Sequence, residues 1–225
     1  VQDLFAGRYP GHQACDTKFH DLTHTCDATA CLVRILNGHI SSGNPPPVSA
    51  RDFELAIAAI LLHDSGYIKE TGDTSGTGAK YTVTHVERSA RFAGTFLTAF
   101  GVNVDEVRLV QLTIRCTGLR VDVANLAFRS DRERLLGCAL GTGDMLGQLA
   151  SETYPQRLRA LYEEFREGGV PGYTSGDDLI RKTRAFWEGH VKNMLETQWH
   201  GVYRRFDFAP YFTAIEANLK IIDRL

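Results

Sequence analysis

His63 and Asp64 close an uninterrupted apolar run, Leu55-Ala-Ile-Ala-Ala-Ile-Leu-Leu62. Such a run reads as a helix buried on nearly every side. An imidazole and a carboxylate at its inner end are costly unless each is paired or held by a metal. Further groups of the same kind lie along the chain: His20 and His24 upstream, His85 and Asp144 downstream. His20 and His24 stand in Phe19-His-Asp-Leu-Thr-His24, and on a helix that spacing sets both imidazoles on one face, one turn apart. Taken alone, Asp144 in Leu140-Gly-Thr-Gly-Asp-Met-Leu-Gly-Gln-Leu-Ala150 reads as a helix N-cap, with its glycines forming a turn. In series with the His and Asp residues before it, Asp144 becomes a candidate ligand.

The elements that must position these residues read as helices almost throughout. The first spans about Asp16 to Asn37 and ends in a Gly/Pro-rich connection from Gly38 to Val48. Ser49-Ala-Arg-Asp52 has the form of a helix start and launches the apolar run. A Gly/Thr/Ser-rich stretch from Ser65 to Lys80 follows, of a length that suits a lid or binding loop as well as a tolerated surface loop. Further helices are expected over about Val83 to Phe100, after Asn103, and from Ser130-Asp-Arg-Glu133 toward Asp144. Gln156 to Glu167 and Asp177 to Trp199 are amphipathic, and Pro210 heads a last helix. Tyr162, Phe165, Phe186 and Trp187 fall at core spacing, which predicts packing. The expected fold is all-α: a core over residues 1–168, with residues 169–225 packed on the same domain as a helical layer.

Bulk properties bound the function. The chain has 225 residues, 43% hydrophobic and 23% charged, with a net charge of −2. That charge argues against general nucleic-acid binding, yet a bound cation can dominate the field in a pocket and admit a small anion. No apolar run is long enough to cross a membrane. The cysteines, Cys15, Cys26, Cys31, Cys116 and Cys138, are odd in number and none forms C-x-x-C, which predicts core thiols in a reducing cytoplasm.

The order H…HD…D, filled by His24, His63, Asp64 and Asp144, resembles the HD-domain superfamily of metal-dependent phosphohydrolases. The F-H-D-x-x-H segment is similar to the Y-H-N-x-x-H segment of its cyclic-nucleotide phosphodiesterases. Thr84-His-Val-Glu-Arg-Ser-Ala90 resembles the H-x-E-x-S-A helix of bacterial members, and G-D-M-L the late aspartate region. The resemblance covers roughly residues 9 to 165. It implies a PDEase-like helical bundle in which His24, His63, Asp64 and Asp144 hold a divalent ion. Two imidazoles and two carboxylates suit Zn, Fe, Mn or Ni, with positions left for water. Such an ion gives hydroxide near neutral pH and polarises a phosphoryl oxygen. The resemblance further implies that Asp64 bridges to a second ion, and that His20 protonates the leaving alkoxide.

The departures from that pattern bear on the second ion. Tyr67 stands near the place where two-metal members carry a further His, and Leu112-Thr-Ile-Arg-Cys116 offers none. His85 is left as the candidate protein ligand beside Asp64, for a weak Mg or Mn site. Lys69, Lys80, Arg115 and Arg120 are phosphate-contact candidates without a motif, and each reads more simply as a solvated surface charge. His12, His39, His190 and His200 lie outside the pattern. The implied function is hydrolysis of a nucleotide-type phosphate ester, a phosphodiester by reason of His20. The alternatives are a 5'-nucleotidase-like phosphomonoesterase, a di-iron oxygenase of the HD type, and a non-catalytic HD signalling module.

Overall fold

The computed structural model describes residues 1–118 and 121–225, and among these the chain is helical with no strand, as the apolar periodicities predict. A short helix α1, Gln2–Phe5, precedes a loop that runs to Asp21. The main helices are α2 (Leu22–Ser41), α3 (Ala50–Leu62), α4 (His85–Ala99), α5 (Val104–Ile114) and α6 (Asp131–Ala150). They are followed by α7 (Tyr154–Glu167), α8 (Gly176–Ala185), a π-helical turn over Phe186–Val191, α9 (Lys192–Thr197) and α10 (Ala209–Ile222).

Local chemistry sets the helix starts. Ser49 and Asp52 form the reciprocal capping box that their spacing predicts. Asn103 and Ser130 cap α5 and α6 through their side chains. The first main helix departs from expectation. Asp21 accepts the backbone N–H of His24 and becomes the N-cap, so α2 begins at Leu22 and the segment before it is loop. His20 therefore lies outside the helix that carries His24, and the two do not share a helical face.

Helix α6 runs through the centre of the molecule, with almost every residue from Leu135 to Leu149 buried. Its glycines do not make a turn; they lie within the helix and let neighbours approach. A Cβ on Gly143 would stand 3.0 Å from the backbone nitrogen of Leu32, and one on Gly147 would stand 2.8 Å from Ala28 Cα. Contact this close between α2 and α6 is what allows a short carboxylate on α6 to meet an imidazole on α2. Asp144 is accordingly a mid-helix residue, not an N-cap.

Helices α3 and α5 complete the wall around α6, and α4 packs against α5 and the turn after Asp64. The C-terminal elements join the same core: Trp187, Trp199, Ile215 and Leu219 are buried in one hydrophobic cluster with Leu32, Ile60 and Leu140. Trp199 Nε1 donates to Cys116 O at 3.2 Å, and Asn218 Nδ2 donates to Leu149 O at 2.9 Å. Cys31, Cys116 and Cys138 are buried free thiols; burial pushes the pKa of Cys31 and of Cys138 up to about 12, which keeps both protonated. No helix among the described residues is long and apolar enough to cross a membrane.

Candidate metal centre

His24 on the first turn of α2, His63 and Asp64 at the end of α3, and Asp144 in the middle of α6 converge at one buried point. His24 Nε2 lies 3.1 Å from Asp64 Oδ2 and 3.0 Å from Asp144 Oδ1. His63 Nε2 lies 3.3 Å from each of the same two oxygens. The imidazole nitrogens are themselves 3.2 Å apart. Both imidazole nitrogens thus lie within 3.3 Å of one oxygen from each carboxylate, in a single small cluster of donors. A buried His24, His63 and Asp64 group with this donor set could hold a metal ion.

The polar accounting supports that fit. Asp64 Oδ2 and Asp144 Oδ1 are buried without a hydrogen-bond donor of ordinary geometry. His63 Nδ1–H donates to Ile60 O at 2.7 Å, which leaves Nε2 as a lone pair aimed into the cluster. In the absence of a cation, protons take its place. Burial opposes charge on His24, yet the adjoining carboxylates of Asp144 and Asp64 outweigh it and push its pKa to about 9. Burial acts in the same sense on His63, and Asp64 and Asp144 hold it well above the imidazole range. Asp64 and Asp144 are in turn held below the carboxylate range: burial raises both, and the two histidines prevail.

His85, the first residue of α4, lies beside this cluster with its Nε2 3.7 Å from Asp64 Oδ1. That oxygen is the one Asp64 does not direct at His24. A separation near 3.7 Å suits two ligands of one ion at about 2.1 Å each. His85 Nδ1–H donates to Thr82 O at 2.6 Å, and burial lowers the pKa of the ring, so Nε2 offers a lone pair at neutral pH. The turn holding Asp64 is locked to α4 because Gly66 has no side chain: a Cβ there would collide with the backbone at His85 and Ser89. Gly66 N–H donates to Ser89 Oγ, and Arg88 Nε donates to Gly66 O, both at 2.8 Å.

His20 reaches the site from the loop rather than from a helix. Its Nδ1–H donates to Glu164 Oε2 at 2.6 Å. Glu164 Oε1 accepts the backbone N–H groups of Lys18 and Phe19 at 2.7 and 2.6 Å. Arg157, also on α7, donates to Lys18 O and Phe19 O and pairs with Asp21. The loop is thus pinned by α7, and the His20 ring stands 5.5 Å from that of His24. Tyr67 is stacked between His20 and His85, with ring centroids 4.5 and 4.4 Å away.

Glu164, Arg157 and Tyr67 are missing from the set that motif reading assembles. Glu164 left one trace in the sequence. It shares the buried face of α7 with Leu158 and Leu161, where a charge requires a partner.

All six expected residues come together, and all but the enclosed His63 face the cleft. His20, His24, Asp64, His85 and Asp144 line a cleft of about 750 Å³. Phe165 and Phe186, expected to be packing residues, also line this cleft, whereas Trp187 is core. Of the phosphate-contact candidates, Lys69 is not a solvated charge: it is buried, with Nζ 2.9 Å from Asp16 and 2.7 Å from Gly76 O. Lys80 is paired with Asp73, and Arg115, at the cleft, is bound by both oxygens of Glu87. Arg120 lies outside the described residues. No family model, curated protein or solved structure matches the chain.

Proposed function

We propose that the chain is a metal-dependent phosphohydrolase of the HD type, acting on a nucleotide-type phosphate ester, with a phosphodiester preferred. The observation that carries this reading is that His24 Nε2 and His63 Nε2 lie 3.2 Å apart, each within 3.0 to 3.3 Å of Asp64 Oδ2 and of Asp144 Oδ1, beside an open cleft. A divalent ion held there supplies Lewis acidity toward a phosphoryl oxygen and acidifies water.

The chain's own residues do the rest. Burial of His63 and Asp64 in the core fixes the donors before substrate arrives. Hydrolysis breaks a P–O bond and leaves an alkoxide, which needs a proton. His20 lines the cleft with Nδ1 committed to Glu164, so Nε2 is the atom that can deliver that proton. Glu164 fixes the ring and balances the charge of the doubly protonated imidazole, and Tyr67 keeps the ring from turning by stacking on its face.

The scarcity of ligands around a second ion favours a second reading, a one-metal phosphomonoesterase. Asp64 and His85 are the protein groups brought together there among the described residues. The test is a panel of matched aryl mono- and diesters, with nucleoside monophosphates and cyclic nucleotides, assayed with protein loaded with Zn, Mn or Fe. Metal-dependent turnover of diesters ahead of monoesters is expected. A reversed order would favour the monoesterase, and no turnover of either class would overturn both.

A further inference from the structure

The cleft that contains the donor cluster has a second wall made entirely by the C-terminal part of the chain. Leu161 and Phe165 of α7, Val170 and Tyr173 of the following loop, Leu179 of α8 and Phe186 of the π turn line it. None of these residues contributes to the donor cluster. Leu179, Thr183 and Phe186 recur at i, i+4 and i+7, so one helical face is presented to the cleft. Phe165 and Tyr173 stack on each other at 5.8 Å, and Phe186 stacks on His190 at 5.3 Å, so the wall's aromatic rings are held in place. These aromatics pack against the core yet keep part of their surface open to the cleft.

We propose that this wall binds the organic group esterified to the phosphate, and that this group is an uncharged ring or apolar chain; the inference rests on the phosphohydrolase reading of the donor cluster. A volume of about 750 Å³ lies within the range of sites for whole small molecules. A phosphate at the cluster leaves most of that space to be filled by what it is joined to. Partly exposed Phe165, Tyr173 and Phe186 gain by losing their remaining water to an apolar partner, and flat rings suit aromatic neighbours. The wall offers no charge to a polar partner. Arg115, the arginine lining the cleft among the described residues, is committed to Glu87 at 2.8 and 2.9 Å. The π turn lies where Phe186 enters the cleft, and such turns recur at functional sites.

The test keeps the leaving group constant and varies the retained one. Methyl, butyl and phenyl 4-nitrophenyl phosphates present identical chemistry at the bond that breaks. With metal-loaded protein, kcat/KM is expected to rise about tenfold or more from methyl to phenyl, as the buried apolar area grows. In Phe186→Ala and in Tyr173→Ala, the second of which changes only a loop residue, the phenyl-to-methyl ratio should fall below about a third of its wild-type value. A flat or falling series in the wild type would overturn the inference and leave the phosphohydrolase reading intact. A rising series that neither variant alters would also overturn it, because the preference would then arise elsewhere. If metal-loaded protein hydrolyses none of the esters, the phosphohydrolase reading fails and the inference falls with it.

Discussion

The two walls of the cleft are built on opposite principles. The donor cluster takes polar atoms from α2, α3 and α6 and sets them on buried side chains at the inner end of the cleft, so each depends on the others for a partner. The C-terminal wall does the reverse, packing Phe165, Tyr173 and Phe186 against the core on one side and leaving part of each uncovered toward the cleft. In the first region, misplacing one atom leaves a buried charge unpaired. In the second, exchanging one apolar side chain for another changes shape and little else. On the proposed reading, chemistry is fixed on one side of the cleft, and substrate choice can vary on the other without disturbing it.

The largest effect that would sharpen this division is expected at His20, which sits between the two regions. His20→Ala should keep its metal and lose turnover by roughly a hundredfold or more, the usual worth of a positioned acid. The loss should shrink with 4-nitrophenyl leaving groups, which need little protonation, and should be partly reproduced by Glu164→Gln, which keeps the shape but not the charge. Parallel assays of turnover and metal content check this. Loss of metal along with activity would move His20 into the donor cluster.

A smaller effect concerns pH and belongs to the cluster alone. The folded pKa of His24, at about 9, is above the ordinary imidazole value of 6.5. Metal-free protein therefore keeps the full stabilisation from charged His24 below pH 6.5 and loses it as pH rises through about 9. Asp64 and Asp144, held below the carboxylate range, act at the other end: their contribution is present above the ordinary value of 3.8 and is lost as pH falls further. A cation binds the neutral imidazoles, so its stabilising effect should grow from pH 6 to 9 while the metal-free melting temperature declines. Calorimetry with and without metal reads both slopes. Parallel curves would show that the ion and the cluster protons do not compete.

Much of the donor cluster was legible in the sequence because its cost is written there. A His-Asp pair after an apolar run announces a burial problem, and the capping residues Ser49, Asn103 and Ser130 mark where helices must begin. Asp21 misled by the same logic, since a capping side chain in Phe19-His-Asp reads equally well as one more helical residue. The glycines of α6 were ambiguous because glycine serves a turn and a close helix contact alike, and only the partner helix decides between them. Phe165 and Phe186 could not be separated from core aromatics, because helical periodicity tells which face is apolar and not what covers it. The His20–Glu164 pair joins loop to α7 across most of the chain, a contact that local spacing cannot encode.

Elemental analysis of protein purified without chelators tests the central claim most directly, with Asp64→Ala and Phe186→Ala prepared in parallel and their helix content verified by circular dichroism. About one equivalent of a transition metal is expected in the wild type and in Phe186→Ala, and a loss to background in Asp64→Ala. Full occupancy in folded Asp64→Ala, or a wild type that takes up no metal when it is supplied, would contradict it.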